Sequence, residues 1–244
     1  ERGLNIKVYY ANLYSPPFVE DAIGMSIREG AQKITIFYMV GQHCWSVTGS
    51  LYKRIWKSLE RIKVFPEISV LFNTWNDEKF IQIWEKKLRN ALKTFNPDVV
   101  LFSFHGVPVG HIKKSDLKNC TYDECCKRIN AENTYCYRAE CFYMADLLAS
   151  RCGCKNYEVV FQSRFGKEKW TEPYIIDSVK KWLNSGARNF IIVPLSFYFD
   201  CLETLYELGI EVASKVKEKC GKCIVIPAPN DSDDFINFII EKIR

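Results

Sequence analysis

The sequence predicts an α/β fold with mostly parallel sheets, and three observations support this prediction. Short runs of branched and aromatic residues, typical of buried strands, alternate along the chain with longer segments that have helical periodicity. This alternation favours right-handed βαβ units. The length of 244 residues suits one large α/β domain or two smaller ones. Because both halves share the same strand and helix rhythm, we expect two similar lobes.

Each predicted element rests on local signals. An alternating run that ends before Pro16 predicts the first strand, and Gly30 ends the first helix. A fully apolar run after Pro97 predicts a strand that ends at His105, and Asp231 or Ser232 caps the last helix. The predicted strands are 5–12, 33–40, 68–72, 98–105, 158–166, 189–193 and 222–227. The predicted helices are 19–29, 50–62, 77–92, 174–184 and 233–243, with an interrupted helical segment over 120–149 and a helix after 202.

Composition limits the functional classes. The net charge of +5 is spread along the chain, so nucleic-acid binding is not expected. No apolar run approaches the ~20 residues that span a bilayer, so any membrane contact is expected to be peripheral. Eleven cysteines without a signal peptide favour a reducing compartment and incidental thiols over a metal site. The chain begins at Glu1, so we expect it to be processed or incomplete.

Two stretches carry residues suited to chemistry. Glu203, Glu207 and Glu211 are spaced by four, which on an α-helix places three carboxylates on one ridge. A solvated acidic face is the alternative explanation for that ridge. His105 ends a buried strand, where ligands bind in open α/β sheets, although a histidine there could simply cap a loop. Imidazole and carboxylate bind divalent metals and move protons.

The sequence lacks the common nucleotide-binding and hydrolase motifs, and it has aromatic residues close to these two stretches. The sequence has no Gly-x-Gly-x-x-Gly or Walker motif and no Gly-x-Ser-x-Gly elbow, so nucleotide binding and that class of hydrolase have no support. Trp170 and residues 197–199 supply flat apolar surface for an aromatic ligand. The combination indicates chemistry on a planar molecule that involves a metal and protons.

Three segments in order resemble the ferrochelatase family, and the resemblance runs from the first strand to the last helix. They are 102–108 (FSFHGVP), 160–166 (VFQSRFG) with Trp170, and 200–205 (DCLETL). The resemblance implies insertion of ferrous iron into protoporphyrin IX, the last step of haem synthesis. It also implies two Rossmann-like, chelatase-like lobes with the porphyrin in the cleft between them. Ferrous iron is then a substrate, and neither an organic cofactor nor an iron-sulfur cluster is expected.

The resemblance also implies roles for individual residues. His105 and Glu203 match the family's essential histidine and glutamate, and the histidine takes pyrrole protons or binds iron. The implied metal ligands are His105, Glu203, Glu207 and Glu211, of which the last two match an acidic line proposed as a metal or proton path. The implied substrate-binding residues are Tyr10, Ser103, Trp170, Phe197 and Asp200.

The sequence departs from the family at two places. Tyr9 replaces an arginine, and residues 40–43 (VGQH) replace a tyrosine-proline-glutamine-tyrosine stretch. The family's glycine-rich opening strand and porphyrin-covering loop are absent, so we expect an incomplete first lobe. These departures leave two alternatives: a catalytically impaired relative that binds porphyrin or haem, and a degenerate remnant.

The resemblance finally sets expectations for organisation and location. Residues 1–95 are expected to be the remainder of the first lobe, 96–228 the second lobe with His105 and Glu203, and 229–244 a C-terminal helix that packs back on the first lobe. The expected compartment is the matrix side of the mitochondrial inner membrane in a eukaryote, or the cytoplasm in a bacterium.

Overall fold

The chain divides into two compact units. The computed structural model describes residues 6–72, 74–115, 120, 122 and 124–243. The first unit comprises Glu1–Tyr38 and Trp45–Leu71, and the second comprises Met39–Cys44 and Phe72–Arg244. The boundary therefore falls before residue 77 and not at 95, because the long helix that follows it packs with the helices of the second unit.

The first unit contains a two-stranded parallel sheet and two helices. Its elements are α1 (Val19–Arg28), β1 (Lys33–Phe37), a π-helical turn (Trp45–Gly49), α2 (Ser50–Leu59) and β2 (Glu67–Leu71). Val19 and Ile23 of α1 pack with Leu51 and Ile55 of α2 to form its core. The predicted strand over residues 5–12 is wrong in its described part, since residue 5 lies outside the described residues and residues 6–11 form no regular element. Among the described residues, no neighbouring strand supplies ladder hydrogen bonds for them.

The second unit is built on a four-stranded parallel sheet. Its strands are β3 (Val99–His105), β4 (Tyr157–Gln162), β5 (Asn189–Pro194) and β6 (Lys222–Val225), in the order β4-β3-β5-β6. Its helices are α3 (Glu78–Thr94), α4 (Val109–Ser115), a 3₁₀ turn (Glu124–Lys127), α5 (Tyr137–Cys152), α6 (Ile175–Asn184), a π-helix (Glu203–Val212), α7 (Ala213–Lys217) and α8 (Asp233–Ile243). The predicted parallel α/β architecture is confirmed.

The two faces of this sheet are packed differently. On one face, Leu101 and Ile192 contact a cluster that includes Leu208 and Val212 of the π-helix. The opposite face carries aromatic side chains that are fully buried, namely Phe102, Phe104 and Phe161. Because side chains alternate along a strand, His105 lies on the same face as Leu101, which is the face that the π-helix covers.

The acidic segment after β5 differs from the predicted α-helix. Residues Glu203–Val212 form a π-helix, in which hydrogen bonds run from i to i+5 and the turn is wider. Gly209 fits this winding closely, since a Cβ there would lie 3.3 Å from the carbonyl oxygen of Thr204. The glutamates are spaced by four residues, which is still close to one full turn of this wider helix. Glu203, Glu207 and Glu211 therefore still lie on one side of it.

The C-terminal helix packs on α3. Phe238 of α8 lies 5.7 Å from Phe80 of α3, measured between ring centroids, and Phe235 lies 5.4 Å from Tyr198. We expected α8 to pack back on the first lobe, residues 1–95; it packs on α3, which lies within that range and belongs to the second compact unit. Within the described part of the chain, no helix is long and apolar enough to span a membrane.

Candidate functional site

The backbone of His105 is fixed at the carboxyl end of β3. Its N–H donates to Ser196 Oγ at 3.0 Å, and its carbonyl accepts a hydrogen bond from the Tyr137 hydroxyl at 2.5 Å. Ser196 follows β5 and Tyr137 begins α5, so two neighbouring elements hold this strand end in place. Neither residue was singled out from the sequence, because each meets His105 only through the tertiary fold.

The ring of His105 has a defined orientation. Its Nδ1 lies 2.6 Å from the carbonyl oxygen of Gly106. A carbonyl oxygen can only accept, so in the neutral ring Nδ1 carries the proton and Nε2 carries the lone pair. Phe197, after β5, contacts the ring edge to face with centroids 6.3 Å apart. The half-buried His105 therefore offers Nε2 as a base or metal ligand.

Trp170 lies against the residue that follows His105. A Cβ added to Gly106 would stand 2.6 Å from the Gln162 carbonyl oxygen and 3.2 Å from Cε3 of Trp170. Pro108 and Trp170 form an antiparallel bridge, which fixes the tryptophan beside the turn. The missing side chain of Gly106 thus permits the close approach of Trp170 to the residue that follows His105.

Ser103 supports the site from inside the sheet. It is fully buried, and its hydroxyl donates to Oε1 of Gln162, which is also fully buried. Nε2 of Gln162 has no hydrogen-bond partner among the described residues. The predicted contact between Ser103 and substrate stays a prediction, and the structure gives this hydroxyl a partner within the protein.

The three glutamates differ in their surroundings. The carboxylate of Glu207 accepts two hydrogen bonds from Ser163, one from its backbone N–H at 2.7 Å and one from its side-chain hydroxyl at 2.5 Å. Ser163 follows β4, so these bonds connect the π-helix, which follows β5, to the carboxyl end of β4. The strand between β4 and β5 is β3, which ends at His105. Burial and a hydrogen bond to Glu203 raise the pKa of the Cys201 thiol to about 11. Glu211 is exposed.

The predicted metal ligands do not form a closed site. Among the described residues, no group of three or more histidine, cysteine, aspartate or glutamate side chains is placed to hold an ion. The bonds from Ser163 occupy Glu207, and Glu211 faces outward. The roles of these residues toward iron therefore stay predictions.

Asp200 joins the loop after β5 to the chain before α8. Its Oδ1 accepts from the Thr204 hydroxyl and from the N–H of Ala228, both at 3.1 Å. Its Oδ2 accepts from Nδ2 of Asn230 at 2.8 Å. Three internal donors thus surround this carboxylate, which positions the start of the π-helix; substrate contact by Asp200 stays a prediction.

A buried pair, His43 and Glu140, lies next to the hydrogen-bonded residues that hold the His105 backbone. The Ser196 hydroxyl donates to Oε1 of Gln42 at 3.3 Å, and the next residue, His43, contacts Glu140 of α5. Glu140 Oε1 lies 2.5 Å from Nδ1 of His43, and Oε2 accepts the His43 N–H at 2.7 Å. Burial outweighs these bonds and raises the pKa of Glu140 to about 7. The sequence around His43 contains no local signal that points to Glu140.

The remaining predicted residues lie elsewhere. Tyr10 belongs to the first unit, is exposed, and donates its hydroxyl to Oδ1 of Asn12 at 2.7 Å. In the cysteine-rich segment, the sulfur atoms of Cys120 and Cys126 are 3.5 Å apart. A hydrogen bond with Cys126 lowers the pKa of Cys136 to about 7. The expectation that these thiols hold no cluster stays a prediction.

Comparison with known proteins places this arrangement in a family. The sequence model of the family described as "Ferrochelatase" matches residues 1–244. The chain is 31% identical over 239 residues to a ferrochelatase of Coxiella burnetii, covering 95% of this chain and 66% of that protein. It is 29% identical over 244 residues to a ferrochelatase of Rhizobium etli, covering 98% of this chain and 65% of that protein. The chain therefore spans slightly less than two thirds of the length of these relatives.

A solved structure supports the fold. SirB from Bacillus subtilis, determined with Fe3+, matches with a TM-score of 0.63 at 13% sequence identity. The match covers 99% of this chain and 82% of SirB. The predicted Rossmann-like, chelatase-type architecture is thus confirmed at the level of the fold.

Proposed function

This chain belongs to the ferrochelatase family, and from that premise we propose that it inserts ferrous iron into protoporphyrin IX to form protohaem. In this lyase-class reaction the four pyrrole nitrogens bind Fe2+ while two of them lose their protons, so each turnover releases two protons. The observation that carries the proposal is His105, held at a strand end with Nδ1 bonded to the Gly106 carbonyl, on the sheet face that the acidic π-helix covers.

In the proposed reaction, His105 accepts a pyrrole proton at Nε2. The bond from Nδ1 to the Gly106 carbonyl supports this role, because it keeps the lone pair on the other nitrogen. The resulting imidazolium would keep a hydrogen bond at Nδ1, and a nearby carboxylate favours the charged ring. We assign that role to Glu203, whose carboxylate bonds a side-chain thiol and no backbone N–H among the described contacts.

The proposed binding surface for the porphyrin is aromatic. Phe197 contacts the imidazole ring of His105, and Trp170 packs against Gly106, the residue that follows His105. Flat aromatic side chains favour a planar tetrapyrrole ring. Glu207 and Glu211 continue the acidic side of the π-helix and are proposed to guide iron or protons, with Glu207 held in position by Ser163.

Porphyrin binding without turnover is the second candidate. Tyr9, which stands where the family has arginine, donates its hydroxyl to Glu29 at 2.8 Å within the first unit. His43, at the second departure, is nearly buried and bonded to Glu140. Both replacements make protein contacts of their own, so neither supplies the group that the family has there.

An anaerobic insertion assay separates the two candidates. Formation of protohaem from ferrous iron and protoporphyrin IX is followed by absorbance for the wild type, His105→Ala and Glu203→Gln. We expect both variants to lose at least 100-fold in kcat. Glu218→Gln is the matched control, because Glu218 is an exposed carboxylate whose ion pair, within the described part of the chain, is with Lys215 alone. Equal rates for His105→Ala and wild type would refute the role of His105; tight porphyrin binding without product would favour the second candidate.

The compartment is part of the proposal as well. The relatives named above come from bacteria, so they give no support to the mitochondrial alternative. Contact with a membrane surface stays a prediction that a vesicle-flotation assay can test.

A further inference from the structure

A basic cavity of about 450 Å³ lies between α4 and the loop residues that precede Trp170 in the chain. The residues that line it are Val109, Gly110, His111, Lys113, Lys114, Glu168 and Lys169. Val109 and Ile112 anchor α4 in the core, which leaves Lys113 and Lys114 exposed at the cavity.

The cavity carries an excess of positive charge. Three lysines stand against one acid, Glu168. Among the described residues, no ion pair joins Lys113, Lys114 or Lys169 to a carboxylate. Lys169 instead lies 5.7 Å from the ring centroid of Tyr122. Lysine clusters without acidic partners attract anions.

Two buried nitrogen atoms at this place lack partners. Nδ1 of His111, which lines the cavity, and Nε1 of Trp170 are both inaccessible to solvent and without a hydrogen bond among the described residues. Buried polar atoms are usually paired, and an unpaired one costs about 1–3 kcal/mol. The unpaired Nδ1 of His111 therefore leaves an unsatisfied polar atom beneath the lining of the charged cavity.

The cavity is joined directly to the residues near His105. The N–H of Val109 donates to the carbonyl of Lys169 at 2.8 Å, and the N–H of Thr171 donates to that of Val107 at 3.0 Å. Lys169 precedes Trp170 in the sequence, and α4 starts four residues after His105. These hydrogen bonds hold the two segments side by side. The cavity therefore begins one residue before Trp170 along the chain, at Lys169.

We propose that this cavity binds a carboxylate of the tetrapyrrole. The inference rests on the proposed function, and it names which part of the substrate this chain recognises through charge. The tetrapyrrole's apolar ring would lie on Trp170, and its anionic side chain would reach Lys113, Lys114 and Lys169. Lysine suits this task because its compact, hydrated charge accommodates a carboxylate that keeps part of its water. A lipid phosphate has similar charge, but it has no aromatic ring for which Trp170 would be the platform.

The test measures the dissociation constant of two porphyrins by quenching of tryptophan fluorescence. Deuteroporphyrin IX carries two carboxylates, whereas its dimethyl ester keeps the ring and carries none. Each is titrated into wild type and into Lys113→Gln/Lys114→Gln/Lys169→Gln. The control, Lys217→Gln/Lys219→Gln/Lys222→Gln, removes the same charge from exposed positions at the opposite, amino end of the sheet. All six lysines are exposed, so both variants are expected to fold, and circular dichroism checks this.

We expect the cavity variant to bind the diacid about tenfold more weakly, since exposed pairs are individually weak and three are lost. Its affinity for the ester, and both affinities of the control, should stay within twofold of wild type. Equal weakening in both variants would show a long-range effect of net charge and overturn the proposal. Unchanged binding of the diacid would overturn it while leaving the proposed function standing. If wild type bound neither porphyrin, both would fail.

Binding to anionic vesicles tests whether the cavity recognises a lipid headgroup and not a tetrapyrrole carboxylate. If the cavity variant lost binding to phosphatidylglycerol vesicles and kept full affinity for the diacid, the cavity would belong to a lipid headgroup and the proposal would be overturned. If its vesicle binding matched that of the control variant and only diacid binding fell, the tetrapyrrole carboxylate would be supported.

Discussion

Replacing Glu140 by glutamine should remove a pH dependence of stability that the wild-type protein carries. Glu140 is fully buried against His43, and burial raises the pKa of its carboxyl group from 4.5 to about 7. The folded protein thus binds this proton more tightly than the unfolded chain does. The resulting stabilisation is complete below pH 4.5 and is lost as the pH rises through about 7.

The structure sets the size of this effect. The interval from 4.5 to about 7, at about 1.36 kcal/mol per pH unit, gives roughly 3 kcal/mol in the free energy of unfolding. Glutamine keeps the shape and both contacts, because its amide N–H can donate to Nδ1 of His43 and its oxygen can accept the His43 N–H. It does not titrate, so its contribution stays constant with pH.

Urea unfolding at several pH values between 5 and 8, followed by tryptophan fluorescence, measures the difference. We expect wild type to lose about 2–3 kcal/mol across this range relative to Glu140→Gln. Glu218→Gln, which changes an exposed carboxylate, should follow wild type. Parallel pH profiles for wild type and Glu140→Gln would refute the assignment of the raised pKa to Glu140.

Three further substitutions test the packing around the site. Gly106→Ala should destabilise the fold by about 1–3 kcal/mol and lower porphyrin affinity, since its Cβ would stand 2.6 Å from the Gln162 carbonyl; thermal unfolding with wild-type Tm would contradict this. Asp200→Asn should cost about 1–3 kcal/mol in urea unfolding, because an amide nitrogen would then face one of the three donors; unchanged stability would instead favour a role in binding. Ser163→Ala should cost about 0.5–1.5 kcal/mol and leave Glu207 less fixed, so retained stability with slower metal insertion would assign the serine to positioning alone.

Elements with strong local signals could be predicted from the sequence. The last helix matches its predicted bounds, 233–243, and the buried strand β5 lies within one residue of its prediction. The segment 5–12 has equally good alternation, but a strand also needs a neighbour, which the pattern of one segment does not reveal. Helix α4 was missed because its seven residues are too few to show periodicity.

The site was predictable where its residues share a motif and not where they meet through the fold. His105 and Glu203 stand in recognisable motifs: His105 ends β3, and Glu203 begins the π-helix that follows β5. The bond from Tyr137 and the pair of His43 and Glu140 join residues far apart in sequence. The π-helix was also hidden, since the spacing of its glutamates suits an α-helix equally well.

The strand order β4-β3-β5-β6 has a consequence for how the second unit reaches its native state. The central strand pairs with partners that are synthesised much later: Val100 lies opposite Tyr157, and Val99 opposite Phe190. Neither ladder can form before the whole intervening segment has been made and its loop has closed. We therefore expect slow refolding dominated by non-local contacts, with the apolar β3 exposed to self-association until β5 arrives.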